Sequence, residues 1–501
     1  MSAGESAKSG KGSGRGKAAS SGTHDFVVVG NRLPLDRVEA ADGTAEWRPS
    51  PGGLVTALEP VMQKADGAWI GWSGSAGEAP APFDADNMHL VPISMSEEEV
   101  ARFYEGFSNA TLWPLYHDVI APPEFHRAWW DAYRTVNRRY AEAAAQEASP
   151  HATVWIHDYQ LQLVPGYLRE LRPDLRIGFF NHIPFPGYEI FAQLPWRREI
   201  VEGLVGADLI GFQRRSDATN FLRACRRAAG LTTRGSSVTV ASTADRSKLR
   251  HAQVGAFPIS IDTAAMADLA RRDDVRARAK EIRSALGDPD VVLLGVDRLD
   301  YTKGILHRLK AYGEVLADGY LRPPQAVLVL VASPSRERVE QYQLLREEVE
   351  ATVGRLNGDY AAIGHPPVHY LHQSYPKEEM AALYLAADVM LVTSLRDGMN
   401  LVAKEYVACR IDETGVLVLS EFTGAADELG AALLVNPHDI SGVKQAIVRA
   451  TQMSPHEVKR RMRSMRRRVR EHDVSHWADA FLAKLQRSSG NDVADPGAPS
   501  T

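Results

Sequence analysis

Short apolar runs, each emptying into a polar loop and followed by a helical pattern, recur along this chain in two series. The first series holds 26–29, 153–156, 176–180 and 208–212. The second holds 291–296, 326–332, 389–394, 416–419 and 432–435. Such runs, apolar at successive positions, read as strands buried on both faces. Strands alternating with helices imply βαβ units and a parallel sheet. Two series imply two sheets, and Gly255-Ala256-Phe257-Pro258-Ile259-Ser260 between them reads as a hinge. The length of 501 residues agrees, because single cores stop growing at about 250–300 residues. The expected fold class is therefore α/β, in two domains.

Open α/β sheets bind ligands outside the carboxyl ends of their strands. Two loops there carry most of the chemistry. The run 291–294 opens into Gly-Val-Asp-Arg-Leu-Asp-Tyr-Thr-Lys-Gly, residues 295–304. Arg298 and Lys303 on one loop could neutralise a diphosphate, arginine as a planar fork and lysine as a point charge. The run 389–393 opens into Leu-Arg-Asp-Gly-Met-Asn-Leu-Val-Ala-Lys-Glu-Tyr-Val-Ala, residues 395–408. Gly398 lets the backbone turn, and Met399, Asn400 and Leu401 would offer N–H groups at a helix start, suited to phosphate or sugar oxygens. Glu405, about a turn further on, could accept from vicinal ribose hydroxyls. The alternative is that Arg298 pairs with Asp297 or Asp300, and that Lys404 and Glu405 are solvated helix charges. The two loops at matching strand ends favour the ligand reading.

The other strand ends add polar groups. Run 26–29 ends at Gly30-Asn31-Arg32-Leu33-Pro34, run 153–156 at His157-Asp158, and run 176–180 at Asn181-His182. Singly, His157 or His182 reads as a hydrogen-bonded core residue; on successive strand ends, with Asp158, they point into one crevice. Ser335-Arg336 follows the run 326–332 and faces the same way. Gly52-Gly53 permits either a plain turn or close approach to a ligand. Trp69, Trp72, Tyr104, Trp113 and Tyr116 crowd one stretch; they read as core, or as sugar platforms with polar tips.

Composition excludes other classes. Hydrophobic content is 44% and charged content 24%, ordinary for a globular chain. A net charge of −5 gives no electrostatic case for nucleic acid or an anionic membrane. Two cysteines, Cys225 and Cys409, exclude a disulfide framework and are expected as free buried thiols. No apolar run is long enough to span a membrane, and no secretory signal opens the chain. A cytoplasmic location is expected, where the Asn109-Ala110-Thr111 sequon has no meaning. Residues 1–23 and 489–501 are expected as disordered tails. Gly16-Lys17 lacks both the Ser or Thr and the strand of a phosphate loop. Asp288-Pro289-Asp290 precedes its strand, which removes the phosphatase reading. The Arg-rich segment 456–470 reads as a solvated helix face.

The motifs Asn-Arg-Leu-Pro, His-Asp-Tyr, His-Ile-Pro-Phe-Pro, Asp-Arg-Leu-Asp-Tyr-Thr-Lys-Gly and Arg-Asp-Gly-Met-Asn-Leu-Val-Ala-Lys-Glu stand in this order in the chain. In them the chain resembles the trehalose-6-phosphate synthases, retaining glucosyltransferases with two Rossmann-like domains facing across a cleft (the GT-B fold). The resemblance covers roughly residues 25–488. It implies an N-terminal acceptor domain over 24–262, a C-terminal nucleotide-sugar domain over 263–470, and a helix at 471–488 packing back on the N-terminal domain.

By resemblance, Arg298 and Lys303 hold the donor diphosphate, and Gly52 and Gly53 form a loop closing over it. Leu401, Val402, Ala403, Lys404 and Glu405 hold the nucleoside, with Glu405 on the ribose. Tyr375, where the family often has Phe, lies near the base. Asp397, Gly398, Met399 and Asn400 bracket the donor glucose, and His182 stands beside it. Arg32, Tyr104 and Arg336 match the acceptor's phosphate set; Trp72, Trp113 and Asp158 match its glucose set. The implied catalytic residues are Asp158, His182, Arg298, Lys303 and Asp397. The Gly187-Tyr188 pair departs from the family without removing a functional group.

The implied reaction moves glucose from a nucleoside diphosphate glucose to glucose 6-phosphate with retention. No cofactor or metal is expected, since the two cations stabilise the departing charge. Expected partners are the two sugar substrates and a separate phosphatase that takes the product; no phosphatase domain is expected in this chain, and homo-oligomerisation is left open. The base of the nucleotide (UDP, GDP or ADP) is also left open. Two other readings stand beside this one, a pseudo-glycosyltransferase coupling cyclitols and a silent regulatory subunit.

Overall fold

The computed structural model describes residues 23–39, 45–49, 58, 62, 67–85, 87–242 and 248–488. The Gly52-Gly53 loop and the two expected tails, except Thr23, lie outside the described residues.

Two sheets carry the fold. In the first, Leu249–Ala256, Leu209–Phe212, Arg176–Phe180, Ala148–His157, His24–Arg32, Ala68–Trp72 and Met88–Ile93 lie side by side in parallel. Antiparallel strands extend both edges: Ser237–Ala241 and Thr232–Arg234 on one, Phe83–Ala85 on the other. The run 26–29 has no alternation because both faces of its strand are covered. Val27 and Val29 pack with Tyr133, Tyr140 and Leu168; Val28 packs on the opposite side with Trp155 and Phe481.

The second sheet has six parallel strands, in the order Val368–Leu371, Ala326–Ser333, Val291–Arg298, Val389–Val392, Val416–Ser420 and Leu433–Val435. The chain enters this sheet at Val291–Arg298, runs outward through two strands, and returns to Val389–Val392 on the other side. The same reversal in the first sheet separates His24–Arg32 from Ala148–His157. At such a switch point the flanking loops diverge and leave a crevice. All four strands beside the reversals end in loops singled out from the sequence: Asn31-Arg32, His157-Asp158, 297–303 and 394–400.

The helices follow their patterns. Asp273–Ala285 buries Val275, Ala279 and Ile282, and Glu340–Tyr360 buries Tyr342, Leu345, Val349 and Val353. The Arg-rich helix Pro455–Glu471 buries Met462, Met465 and Val469 and carries arginines on its outer face. The last helix, Val474–Ser488, packs on the first sheet: Phe481 stacks on Trp155 at 4.8 Å and Trp477 meets Phe180 at 5.1 Å. Cys225 and Cys409 are free and buried.

Several elements were not singled out by periodicity, among them the parallel strands Ala68–Trp72, Met88–Ile93, Leu249–Ala256 and Val368–Leu371. Val100–Leu112 is a π-helix, continued by the short helix Trp113–Tyr116. The hairpin Leu35–Glu39 with Ala45–Pro49 and the antiparallel edge strands also carry no strong local signal. Each depends on a neighbour that covers it.

Candidate functional site

At the switch point of the second sheet, the two loops are locked together. Lys303 Nζ lies 2.6 Å from Asp397 Oδ2, and Asp397 also accepts from Asn400 Nδ2 at 3.2 Å and Ser394 Oγ at 3.3 Å. Burial would raise the Asp397 carboxyl, but Lys303 outweighs it and holds the group below its ordinary value. The helix Leu401–Cys409 starts at Asn400, whose φ is +90° and whose side chain caps the N–H of Ala403 at 3.0 Å. That cap takes only the Ala403 N–H, and the N–H groups of Leu401 and Val402, which have no carbonyl partner in their own helix, remain for a ligand.

Arg298 is about half exposed, its only ion pair among the described residues being a 3.9 Å approach to Asp300. Asp297 is not its partner: that carboxylate is buried against Arg308 at 2.7 Å. Arg298 lies 5.4 Å from the Trp113 ring, across the crevice. Burial would raise Asp300 too, but Arg336, Arg298 and Lys303 hold it at about 2. Glu405 accepts from Tyr384 O–H at 2.8 Å, and burial raises its carboxyl. Lys404 turns the other way: its ammonium is buried on the Ile259 carbonyl at 2.8 Å and Glu428 at 2.5 Å. Tyr375 is partly buried beside Gln373, at the outer end of the same crevice wall.

The first sheet contributes the opposing wall. Arg336 crosses from the second half and lies over Trp113 at 3.8 Å. It donates to Tyr159 O–H at 3.1 Å, approaches Asp300 at 3.3 Å and contacts Tyr342. Arg32 pairs with Asp36 at 3.0 Å and lies 4.8 Å from the Trp72 ring, which packs on Tyr104 at 5.6 Å. Gly74 opposite has φ +90°, a conformation that favours glycine, and lies against the Arg32 guanidinium. Asp158 sits at φ +76° and accepts the N–H of His182 at 3.1 Å. Burial pushes its carboxyl to about 6, despite the opposing backbone N–H groups, Arg298 and Arg336. Burial also lowers His182 to about 3.

The halves touch at the site itself. A Cβ on Gly398 would stand 2.3 Å from the carbonyl oxygen of His182. Arg396, beside it, enters the first half between Asp118 at 3.3 Å and the buried Asp217 at 3.5 Å. Arg214 and Asp427 add a two-point bridge, both contacts 2.8 Å. Strand ends of two separate sheets thus converge on one crevice bearing Arg298, Lys303, Arg336 and Arg32 with three carboxylates. The glycosyltransferase family 20 profile matches residues 24–487. The chain belongs to glycosyltransferase family 20.

Relatives within the family are similar along nearly the whole chain. A trehalose-6-phosphate synthase of Mycobacterium avium is 58% identical over 488 residues, covering 96% of this chain and 99% of its own. A family 20 structure from E. coli bound with UDP-2-fluoro glucose superposes with TM-score 0.84 at 35% identity, covering 92% of this chain and 99% of that one. An alpha,alpha-trehalose-phosphate synthase (UDP-forming) from Burkholderia xenovorans in complex with glucose-6-phosphate gives 0.83 at 34%, with the same coverages. The fold is the two-domain GT-B arrangement of these structures.

Family 20 motifs do not mark every residue in the crevice. Tyr159, Asp300 and Tyr342 hold Arg336, and His117, lowered to about 4 by burial, faces Asp300 and Asp397. Asp300 lies inside a motif and could have been singled out. Tyr342, on the helix Glu340–Tyr360, carries no local signal. Arg396 reads as a loop charge until the second half is folded against the first.

Proposed function

We propose that the protein transfers glucose from a nucleoside diphosphate glucose to the anomeric hydroxyl of glucose 6-phosphate, with retention, forming trehalose 6-phosphate. The observation that carries this reading is the convergence of Arg298 and the Lys303–Asp397 pair with the Arg32, Trp72, Trp113 and Arg336 wall across a single crevice. The family relatives solved with UDP-2-fluoro glucose and with glucose-6-phosphate support the two substrate classes.

Arg298 and Lys303 hold the diphosphate. Leu401 and Val402 present N–H groups, Glu405 takes the ribose, and Tyr375 stands near the base. Asp397 to Asn400 and His182 bracket the donor glucose. Ala403 and Lys404 act as scaffold, the first through the Asn400 cap and the second through its pair with Glu428. Arg32, Tyr104 and Arg336 take the acceptor phosphate, with Trp72, Trp113 and Asp158 around its glucose. The bond from the anomeric carbon to the diphosphate oxygen breaks. The new bond to the acceptor oxygen forms on the same face, and the acceptor proton passes to the departing diphosphate. Catalysis then rests on positioning two sugars and on fixed positive charge where negative charge develops, with no metal called for. Residues 24–262 form the acceptor domain, 263–470 the donor domain, and 471–488 the return helix. No helix among the described residues is long and apolar enough to cross a membrane. On this reading the enzyme works in the cytoplasm and passes its product to a separate phosphatase.

The deciding assay measures nucleoside diphosphate release from UDP-, GDP- and ADP-glucose, with and without glucose 6-phosphate. Release that requires glucose 6-phosphate and yields trehalose 6-phosphate is expected; release with free glucose alone, or none at all, would remove the reading.

Two further outcomes test the geometry. Gly398→Ala places a methyl group against the His182 carbonyl and forces the halves apart. Turnover should fall about 100-fold, the usual effect of a displacement near 1 Å, with the far-ultraviolet circular dichroism unchanged. Asp158 accepts sugar hydroxyls best as the carboxylate, so kcat/KM for glucose 6-phosphate should rise with pH through about 6. Asp158→Asn should flatten that limb. The same raised carboxyl favours the folded state more at acid pH, so its contribution to stability should decline as pH rises from about 4 to about 6. Thermal denaturation of the variant against pH reads this directly.

A further inference from the structure

Behind His182 lies a second imidazole to which the reading above gives no role. His157 ends the strand Ala148–His157 and is fully buried. Its Nδ1 lies 3.1 Å from Nε2 of His182. Burial keeps both rings neutral, so one proton lies between these two nitrogens and fixes both tautomers. If His157 donates, its own Nε2 is a bare lone pair and His182 carries its proton on Nδ1. If His182 donates, the proton of His157 moves to Nε2, and His182 Nδ1 is bare.

The surroundings of His157 decide between the two. Its Nε2 is buried with no hydrogen-bond partner among the described residues. The rings packed around it are Trp155 at 4.7 Å and, from the last helix, Trp477 at 6.4 Å. The indole N–H groups of both tryptophans are also buried and unpartnered, and an indole can only donate. A proton on His157 Nε2 would add a third orphan donor to a pocket of donors. A lone pair there adds none, and orphan N–H groups are the less tolerated of the two. The Asp158 carboxylate meanwhile pins the His182 backbone N–H at 3.1 Å, so the two imidazoles keep their register.

We propose that His157 is a positioning residue: by donating Nδ1–H to Nε2 of His182, it holds His182 in the tautomer that offers Nδ1–H to a hydroxyl of the transferred glucose. The return helix Val474–Ser488 takes part, because Trp477 packs on both rings, at 6.4 Å from His157 and 6.1 Å from His182. The inference rests on reading His182 as a donor-sugar ligand.

The test is a nitrogen–proton correlation spectrum of the full chain labelled with [15N]histidine, the His182 signals being assigned by their loss in His182→Gln. The free protein should show His182 protonated on Nδ1. His157→Phe keeps the ring packing and removes the donor, so His182 should shift toward the Nε2–H form. Turnover should fall about tenfold, as when a group that orients a functional histidine is lost, with KM for the nucleotide glucose nearly unchanged. His157→Asn places an amide N–H near the lost Nδ1–H and should restore both tautomer and rate. His182 protonated on Nε2 in the free parent protein overturns the proposal whatever the variants do. Parental turnover in His182→Gln removes the donor-sugar role and the proposal with it, while leaving the transferase assay above untouched.

Discussion

Replacing Arg298 by alanine is expected to lower kcat about 100-fold or more while leaving the folded protein as stable as its parent. The two halves of this expectation come from one observation. The guanidinium is about half exposed and its closest carboxylate, Asp300, is 3.9 Å away. A contact that long, with the guanidinium half in solvent, contributes on the order of 0–1 kcal/mol to stability. Asp300 loses little, because Arg336 stays at 3.3 Å and Thr302 still donates to it. What the substitution removes is positive charge in the crevice, where on the proposed reading the diphosphate departs. Loss of one such transition-state contact typically lowers kcat by about 10²–10³. Initial rates with saturating glucose 6-phosphate, together with a melting curve, test both halves. A parental kcat would remove Arg298 from the mechanism, and a large loss of stability would mean that its role is structural.

Lys303→Ala is expected to act more broadly. Lys303 and Asp397 are each mostly buried and 2.6 Å apart. Removing the lysine leaves a carboxylate that burial disfavours, supported only by Asn400 and Ser394. Breaking a buried pair in this way costs about 3–5 kcal/mol. Turnover should again fall about 10²–10³-fold. The pH dependence of stability should also change sign at this site. In the parent, Lys303 holds the Asp397 carboxyl below its unfolded value, so the pair stabilises above about pH 4 and fades as pH falls further. In the variant, burial is opposed by the Asn400 hydrogen bond and His117 without the lysine, and raises the carboxyl. Its contribution then declines as pH rises from about 4 toward neutrality. Melting temperatures at pH 5 and pH 7.5 should converge with the parent at the lower pH and diverge at the higher. Parallel curves for the two proteins would show that Asp397 does not depend on Lys303 for its charge.

Much of this was legible in the chain. Strand runs such as 291–296 and 389–394 announce themselves because parallel strands are buried on both faces and need apolar residues at successive positions. Their carboxyl ends then fall where ligands bind, which is how Arg298, Lys303, Asp397 and Asp158 could be singled out together. Lys404 was not legible in the same way. It sits between residues expected to face a nucleoside, yet its helix turns it onto Glu428 and the hinge carbonyl of Ile259.

The sequence by itself determined many of the strands in the two series and the polar loops at their ends, because burial on two faces and the turn residues that stop a strand are local properties. Only the tertiary structure decided which loops meet. The contact of Gly398 with the His182 carbonyl, the entry of Arg396 between Asp118 and Asp217, and the return of Trp477 onto His157 all join segments far apart in the chain. Such contacts follow from how two finished sheets pack, and no periodicity along either sheet encodes them.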